Sequence, residues 1–309
     1  MMSSDKLLVV IDPSRDEQPA LARAAHLARC AGTRLTLFLS IFDFSYEMTS
    51  MLSQEERDAM RNGVVMQRQK WLEQLAEPLK AEGIDVDFEV VWHNRPFESI
   101  INHVLNNDIA YIIKSTHAHD KLKSVIFTPT DWHLLRKAPV PVLLVKENDW
   151  PAKGNILAAV NVAADDEDHK ELNERIVSKA VSLASLIDAT VHLVNGYPGT
   201  PVNIAIELPD FDAHAYNKSI KQHHQARIAE LAARHDIDEA HCHVLEGLPE
   251  DVIPDLAREL NAELVMLGTV GRSGLSAALI GNTAEHVIDS LECDLVAFKP
   301  ANFVCPLAD

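Results

Sequence analysis

The chain has 309 residues, enough for about two domains that each bury a core. Hydrophobic residues make up 47% and charged residues 24%, a balance that excludes a largely disordered chain. There are 28 lysines and arginines against 46 aspartates and glutamates, a net charge of −18, which excludes direct binding to nucleic acid and attraction to an anionic membrane surface.

Targeting signals and cysteine usage predict a cytoplasmic protein. No run of about 18 apolar residues could span a bilayer, and residues 1–6 lack the layout of a signal peptide. The four cysteines are widely spaced and form no C-x-x-C pair: Cys30, Cys242, Cys293 and Cys305. We therefore expect free thiols in a reducing compartment and no membrane span.

The first half of the chain alternates apolar runs with helical patterns. The apolar runs predict strands at residues 6–12, 34–42, 86–92, 109–115 and 141–146. Helices are predicted between them at residues 16–31, 53–82, 96–105 and 131–137, the second of which opens with a capping box. This alternation predicts a parallel α/β layer with right-handed crossovers.

The second half repeats the same order. It predicts strands at residues 155–163, 190–197, 241–246, 263–269 and 294–299, with helices near 169–188, 214–234, 249–261 and 283–291. Residues 113–134 align with residues 267–288 without a gap, which places Phe127 opposite Gly281. The chain is therefore predicted to hold two tandem α/β domains, 1–148 and 154–309, each a five-stranded parallel sheet flanked by helices.

A glycine pattern in the second half predicts a phosphate site. Gly268, Gly271 and Gly281 follow a predicted strand and lead into a helix, where Asn282 and Thr283 stand at the helix start. Glycines let backbone N–H groups approach an anion closely, and the helix N-terminus adds its dipole. The competing interpretation is that these glycines only form turns and helix caps.

This pattern resembles the nucleotide loop of ATP-binding universal stress proteins, in which G-x2-G-x9-G is followed by Ser or Thr. Residues 10–14 (VIDPS) also resemble the end of that family's first strand. The resemblance implies ATP as a ligand, a cytoplasmic location, and a role in stress endurance that includes DNA-damage resistance. It implies a pocket lined by eight residues: Asn161, Val162, Leu267, Gly268, Gly271, Gly281, Asn282 and Thr283.

The first half departs from the family pattern. Lys114, His117 and Phe127 occupy its three glycine positions, and Pro129 removes a backbone donor at the helix start. ATP is therefore expected in the C-terminal domain only. In that domain Asn161 stands where the family places an aspartate, which weakens a contact to the base or ribose.

Other chemistry is less well supported. The pairs His117-x-His119 and His241-x-His243 lack a third ligand at a recognisable spacing, so no metal site is predicted. No hydrolase or P-loop motif is present, and no catalytic residue is predicted. We expect a non-enzymatic protein, and a slow ATPase or phosphotransferase is the alternative.

Two long apolar connections, residues 42–52 and 197–211, leave another function open. They either cover the sheets or form a surface for a lipid-like ligand or a protein partner, which would make the chain a stress scaffold without nucleotide. The candidate residues are Phe44, Tyr46, Met48, Met51, Ile204, Ile206 and Leu208. The short fifth strands are expected to pair the halves as an intramolecular pseudo-dimer, with higher oligomers left open.

Overall fold

The computed structural model describes residues 5–46, 52–118, 125–146, 148, 150–200, 212–269 and 281–308. The chain divides into two compact units: Met1–Glu147 together with Val304–Asp309, and Asn148–Phe303. The final residues thus pack with the first unit. The domain limits 1–148 and 154–309, and the pairing of the halves, stay predictions.

The first unit is a parallel sheet with helices between its strands. Its main strands are β1 Lys6–Val10, β2 Arg34–Ile41, β3 Val86–Trp92, β4 Tyr111–Ser115 and β7 Val142–Val145, and β5 His117–Ala118 and β6 Val125–Ile126 form a small antiparallel pair. The helices are α1 Pro19–Ala31, α2 Gln54–Ala81, α3 Pro96–Asn106 and α4 Pro129–Lys137. The order across the sheet is β7-β4-β1-β2-β3.

The second unit has the same topology. Its strands are β8 Asn155–Ala159, β9 Thr190–Tyr197, β10 Cys242–Glu246, β11 Leu264–Gly268 and β12 Asp294–Phe298, and its helices are α5 Glu167–Ile187, α6 Ala213–Arg234, α7 Pro249–Glu259 and α8 Asn282–Ser290. The order across the sheet is β10-β9-β8-β11-β12. The predicted fold class is confirmed in both units.

Local signals in the sequence explain where several elements begin and end. Ser53 and Glu56 form the predicted capping box, with Glu56 N donating to Ser53 Oγ at 3.2 Å and Ser53 N to Glu56 Oε2 at 2.8 Å. Gly32 ends α1 in the left-handed region with φ of 67°, which suits glycine. The central strands are buried, as Leu7, Leu8 and Val9 of β1 illustrate, whereas the edge strands β3 and β10 are partly exposed. Continuous apolar runs are therefore the expected sequence of such strands.

The structure also bears on the expectations about membranes and thiols. No helix in the described part of the chain is long and apolar enough to cross a membrane. All four cysteines lie in that part and are thiols rather than disulfides.

Candidate functional site

A cleft of about 1060 Å³ lies at the carboxyl ends of β8 and β11 in the second unit. The chain runs from β8 towards one edge of the sheet through β9 and β10, whereas β11 and β12 lie on the other side of β8. The cleft therefore sits where the strand order reverses, the place at which open α/β sheets bind ligands. Helices α5, α6, α7 and α8 all contribute residues to its walls.

The chain reversal after β8 is held by a reciprocal pair of hydrogen bonds. Asn161 N donates to Asn173 Oδ1 at 3.0 Å, and Asn173 Nδ2 donates to Asn161 O at 2.9 Å. Both backbone polar groups of Asn161 are thus satisfied by one side chain of α5. This contact explains why β8 ends at Ala159, although the sequence predicted a strand to residue 163.

The first unit uses the same device. Asp12 N donates to Gln18 Oε1 at 3.0 Å, and Gln18 Nε2 donates to Asp12 O at 2.8 Å. The contacts of their backbones therefore make Asp12 and Asn161 equivalent positions of the two units. Likewise β1 ends at Val10, short of the predicted residue 12.

A buried polar chain lines the other side of the cleft. Val162 N donates to Asn195 Oδ1 at 3.1 Å, which leaves Asn195 Nδ2 to donate to His224 Nδ1 at 2.7 Å. Because Nδ1 of His224 accepts this bond, its ring proton sits on Nε2. Burial, and then the neighbouring His223, lower the pKa of His224 below its ordinary value. His224 is therefore a neutral N–H donor at pH 7 on the wall of the cleft.

The N-terminus of α8 opens into the cleft. Gly281 is the N-cap and has no side chain to accept from the first turn, and the first intrahelical bond is Glu285 N to Gly281 O at 3.1 Å. The backbone N–H groups of Asn282, Thr283 and Ala284 precede that bond and so have no carbonyl partner within the helix. All three residues line the cleft. This end of the helix is suited to hold an anion.

Gly268 is a glycine for a reason that the sequence did not reveal. A Cβ at this position would lie 3.0 Å from Leu172 Cγ and 3.5 Å from Ile176 Cδ1, with Leu172 Cδ2 closer still. Leu172 and Ile176 belong to α5 and line the same cleft. The packing of α5 on the end of β11 thus favours a residue without a side chain at this position, independently of any phosphate.

The corresponding place in the first unit is closed. Thr128 caps α4, and its N and Oγ1 donate to Asp131 Oδ2 at 2.6 and 2.8 Å. Lys114, opposite Gly268 in the alignment, places Nζ 2.8 Å from Asp131 Oδ1. Pro129 has no N–H to offer. A side chain and its counter-ion occupy this region in the first unit, whereas in the second unit the described residues at the matching helix start line the cleft.

The Lys114 side chain can be accommodated in the first unit because α1 begins later, relative to Gln18, than α5 begins relative to Asn173. Helix α1 begins at Pro19, directly after Gln18, whereas α5 begins more than one turn before Asn173 at Glu167. The extra turn of α5 carries Leu172, which covers Gly268. The two units therefore differ in the helix that covers the loop as well as in the loop itself.

The structure brings together six of the eight residues predicted for the site. Lining the cleft are Asn161, Leu267, Gly268, Gly281, Asn282 and Thr283. Val162 lies behind them, buried, with its N–H held by Asn195. Gly271 lies outside the described residues. Nucleotide contact by these residues stays a prediction.

Asn173, Asn195 and His224 were missed by the sequence reasoning. Each lies in the middle of a helix or strand, where no local motif marks a polar residue as part of a site. The only signal is that an amide or imidazole interrupts the apolar face of an element.

The lining of the cleft carries little charge. Among its described residues there is no Lys, Arg, Asp or Glu, and the ionisable side chains are His169, His223 and His224. Most of the other walls are apolar, as in Ile176, Ile220 and Ile253. Backbone donors and the helix dipole are therefore the principal groups that the described walls offer to an anion.

The apolar connections are described only in part. Phe44 is 62% exposed, and Tyr46 ends a short 3-10 turn. Met48, Met51, Ile204, Ile206 and Leu208 lie outside the described residues, so the choice between cover and binding surface stays open. In the pair His117-x-His119, residue His119 and the side chain of His117 also lie outside the described part of the chain.

Comparison with known proteins gives consistent matches along the chain. The family described as "Universal stress protein family" matches residues 3–146 and 158–299. The chain is 50% identical over 308 residues to Universal stress protein E of Escherichia coli K12, covering 99% of this chain and 98% of that protein. It is 43% identical over 305 residues to Universal stress protein E homolog of Haemophilus influenzae, covering 97% and 99% of the two chains.

Solved structures show the same architecture. The crystal structure of PA1789 from Pseudomonas aeruginosa PAO1 matches with a TM-score of 0.77 and 32% identity, covering 99% of this chain and 96% of that one. A universal stress protein from Archaeoglobus fulgidus matches with a TM-score of 0.64 and 15% identity, covering 97% and 98%. The second likeness concerns the fold alone.

Proposed function

We propose that this chain, which belongs to the universal stress protein family, binds ATP in the cleft of its second unit as a structural or switching ligand. The observation that carries the proposal is the open N-terminus of α8, whose first backbone N–H groups line that cleft. The matching helix start in the first unit is capped by Thr128 and Asp131. One nucleotide site per chain follows from this difference.

In this proposal the phosphates lie at Asn282, Thr283 and Ala284. Hydrogen bonds from backbone N–H groups to a charged phosphate contribute about 1.5–3 kcal/mol each. The apolar walls around Leu267 and Ile253 accommodate the purine ring, and Asn161 and His224 provide polar contacts at the rim. The net charge of −18 repels a polyanion such as ATP over long distances. Low concentrations of salt should screen this repulsion and raise the affinity, and higher concentrations should weaken the contacts with the phosphates and lower it.

In this proposal the chain binds ATP without hydrolysing it efficiently. The described walls of the cleft offer no carboxylate to hold a magnesium ion and no Lys or Arg to stabilise charge on a transferring phosphoryl group. A slow ATPase or phosphotransferase is the enzymatic alternative. Incubating the chain with Mg·ATP and measuring ADP release distinguishes the two, because stoichiometric binding with no multiple turnover supports a ligand role.

A second candidate function is a stress scaffold that binds a lipid-like molecule or a protein without nucleotide. The largely apolar walls of the same cleft favour it. Denaturing the purified chain and analysing the released small molecules by mass spectrometry tests both ideas. Release of an adenine nucleotide supports the first proposal, and release of an amphipathic molecule supports the second.

The cellular role that accompanies this proposal is stress endurance from the cytoplasm, including resistance to DNA damage without direct contact to nucleic acid. Its support is the family, and the acidic charge argues against a DNA-binding surface. A strain that lacks the gene, complemented with the natural chain or with Asn282→Pro, tests it by survival after ultraviolet irradiation. Full rescue by a variant that does not bind ATP would separate the role from the nucleotide.

A further inference from the structure

Three histidines meet on one face of the second unit's sheet, near the amino ends of β9 and β10. The parallel register pairs Cys242 with Leu193, which sets His192 beside His241 and His243. The His192 ring lies 4.7 Å from that of His241 and 5.3 Å from that of His243, measured between centroids. The cluster lies away from the nucleotide cleft, which is formed at the carboxyl ends of the strands.

The protonation of His192 is set by its neighbours. Asn155 Nδ2 donates to Leu260 O at 2.8 Å, so Asn155 Oδ1 is the acceptor that faces His192 Nε2 at 3.3 Å. The ring proton of His192 therefore sits on Nε2, and Nδ1 carries a lone pair. That lone pair points at His243 Nε2, 3.0 Å away. In this state His243 Nε2–H donates to His192 Nδ1.

We propose that His192 Nδ1 and His243 Nε2 form a binding site for a divalent transition-metal ion, with water completing its coordination. Two nitrogen atoms that bind one ion at a right angle, with bonds of about 2.1 Å, lie about 3 Å apart. The observed separation is 3.0 Å. A right angle suits Ni²⁺ and Cu²⁺, which prefer square-planar, tetragonal or octahedral arrangements, better than tetrahedral Zn²⁺. On binding, both rings turn so that the two nitrogen atoms, which face each other in the hydrogen bond, converge on the ion. The His243 Nε2 proton leaves to solvent while Nδ1 of the same ring takes one up, so that no net proton is released.

The surroundings of the two rings match those of known metal ligands. A metal-bound histidine usually donates its second ring N–H to a carbonyl or carboxylate, as His192 does to Asn155. Burial, and then His241 and His243, lower the pKa of His192 to about 4, so the ring is neutral at pH 7. His243 is only partly buried, which leaves a path from solvent.

Negative charge nearby favours a cation at this place. Helix α7 ends at Glu259, and its terminal carbonyl of Leu260 is the group that orients Asn155. The Glu259 carboxylate raises the pKa of His243, against the larger lowering caused by burial. A bound cation would gain from both the helix C-terminus and this carboxylate.

This site was not visible in the sequence because its second ligand is distant along the chain. The pair His241-x-His243 lacked a partner in the sequence, and His192 comes from the neighbouring strand. Within the described parts of the chain there is no group of three or more His, Cys, Asp or Glu side chains that could hold a metal ion. The proposed site is accordingly a two-histidine chelate. Cys242 is excluded as a ligand because its thiol bonds to Asp238 O and burial raises its pKa.

The test is a calorimetric titration of the full-length, tag-free chain with Ni²⁺. His192→Gln and His243→Asn each remove one ligand while keeping a polar side chain. His214→Gln removes an exposed histidine of α6 and is the matched control. The natural chain and the control should each bind one Ni²⁺, and each ligand variant should lose at least about tenfold in affinity.

A second measurement guards against variants that fail to fold. The electron paramagnetic resonance spectrum of the natural chain loaded with one equivalent of Cu²⁺ should show two imidazole nitrogens bound to the ion. Absence of binding by the natural chain, unchanged affinity in both ligand variants, equal loss in the His214→Gln control, or a Cu²⁺ spectrum without two imidazole nitrogens would overturn the proposal.

Discussion

Lys114 Nζ lies 2.8 Å from Asp131 Oδ1, and the Asp131 side chain is completely buried. The same carboxylate accepts two hydrogen bonds from Thr128, the residue that caps α4. Asp131 thus joins the end of β4 to the start of α4. In the second unit the residue opposite Lys114 is Gly268, and the helix start near it faces a cleft.

The first prediction concerns this ion pair. Replacing Lys114 with Met should lower the free energy of unfolding of the first unit by about 3–5 kcal/mol, because it leaves a buried carboxylate without its counter-ion. Lys6→Met is the control, since the Lys6–Asp87 pair is partly exposed and should contribute at most about 1 kcal/mol. Hydrogen exchange at the α4 amides measures the loss. Equal effects of the two changes would show that the buried pair has no special role.

The second prediction concerns the open helix start. Asn282→Pro removes one backbone N–H at the first position of α8, where proline fits the helix well, and Gly281 already has the extended backbone that proline requires of its predecessor. Asn282→Ala removes only the side chain and keeps the N–H. Losing one charge-assisted hydrogen bond of about 1.5–3 kcal/mol should weaken ATP binding at least tenfold in the proline variant.

Calorimetry on the full-length chain measures both affinities. The alanine variant should stay within a few-fold of the natural chain, and the stoichiometry should be one ATP per chain. Equal affinities in the two variants would mean that this N–H does not contact phosphate. Two sites per chain would mean that the first unit also binds.

The fold was predictable because its signals are local. Apolar runs between helical patterns located the main strands of both units, although β3 and β10 also carry polar residues. Ser53, Glu56 and Gly32 determine helix ends through their own backbone contacts. The ends of β1 and β8 were predicted too late. The backbones of Asp12 and Asn161 form hydrogen bonds with the side-chain amides of Gln18 and Asn173. These amides lie outside the strands, and no local sequence pattern predicts the contact.

The candidate site was predictable only where a motif marked it. Gly281 and Asn282 could be found because glycine followed by a helix start is a local pattern. Asn195 and His224 come from β9 and α6, and their partnership depends on the register of the sheet. Gly268 was identified from the glycine pattern, and the structure adds a second reason for glycine there, because Leu172 packs against it.

The third prediction tests that packing. Gly268→Ala should lower the free energy of unfolding of the second unit by about 1–3 kcal/mol, because the new methyl group meets Leu172. Leu172→Ala alone should cost about 2–5 kcal/mol by leaving a cavity. The double variant should cost less than the sum, since Leu172→Ala makes room for the new methyl group and that methyl group fills part of the cavity. Urea unfolding of the four chains gives the coupling, and strict additivity would contradict a direct contact.

The last prediction is a pH dependence that follows from His224. Its folded pKa lies below the ordinary value of about 6.5, so the unfolded chain binds a proton more readily than the folded one. The stability that comes from keeping this ring neutral is fully present above pH 6.5 and is lost as pH falls towards the folded pKa. Protonation would put an N–H on Nδ1, which faces the Nδ2–H₂ of Asn195. Among the described residues, the rings beside His224 are those of Tyr197 and His223, and neither carries a negative charge that would favour the imidazolium.

Thermal unfolding at pH 7.5 and pH 5.0 measures the effect. The second unit of the natural chain should lose stability at pH 5.0, and His224→Gln should lose less, because an amide oxygen can accept from Asn195 at either pH. His214→Gln, which changes an exposed histidine of the same helix, should keep the natural pH dependence. If His224→Gln and the natural chain respond equally to pH, then the bond between Asn195 and His224 does not make folding sensitive to acid.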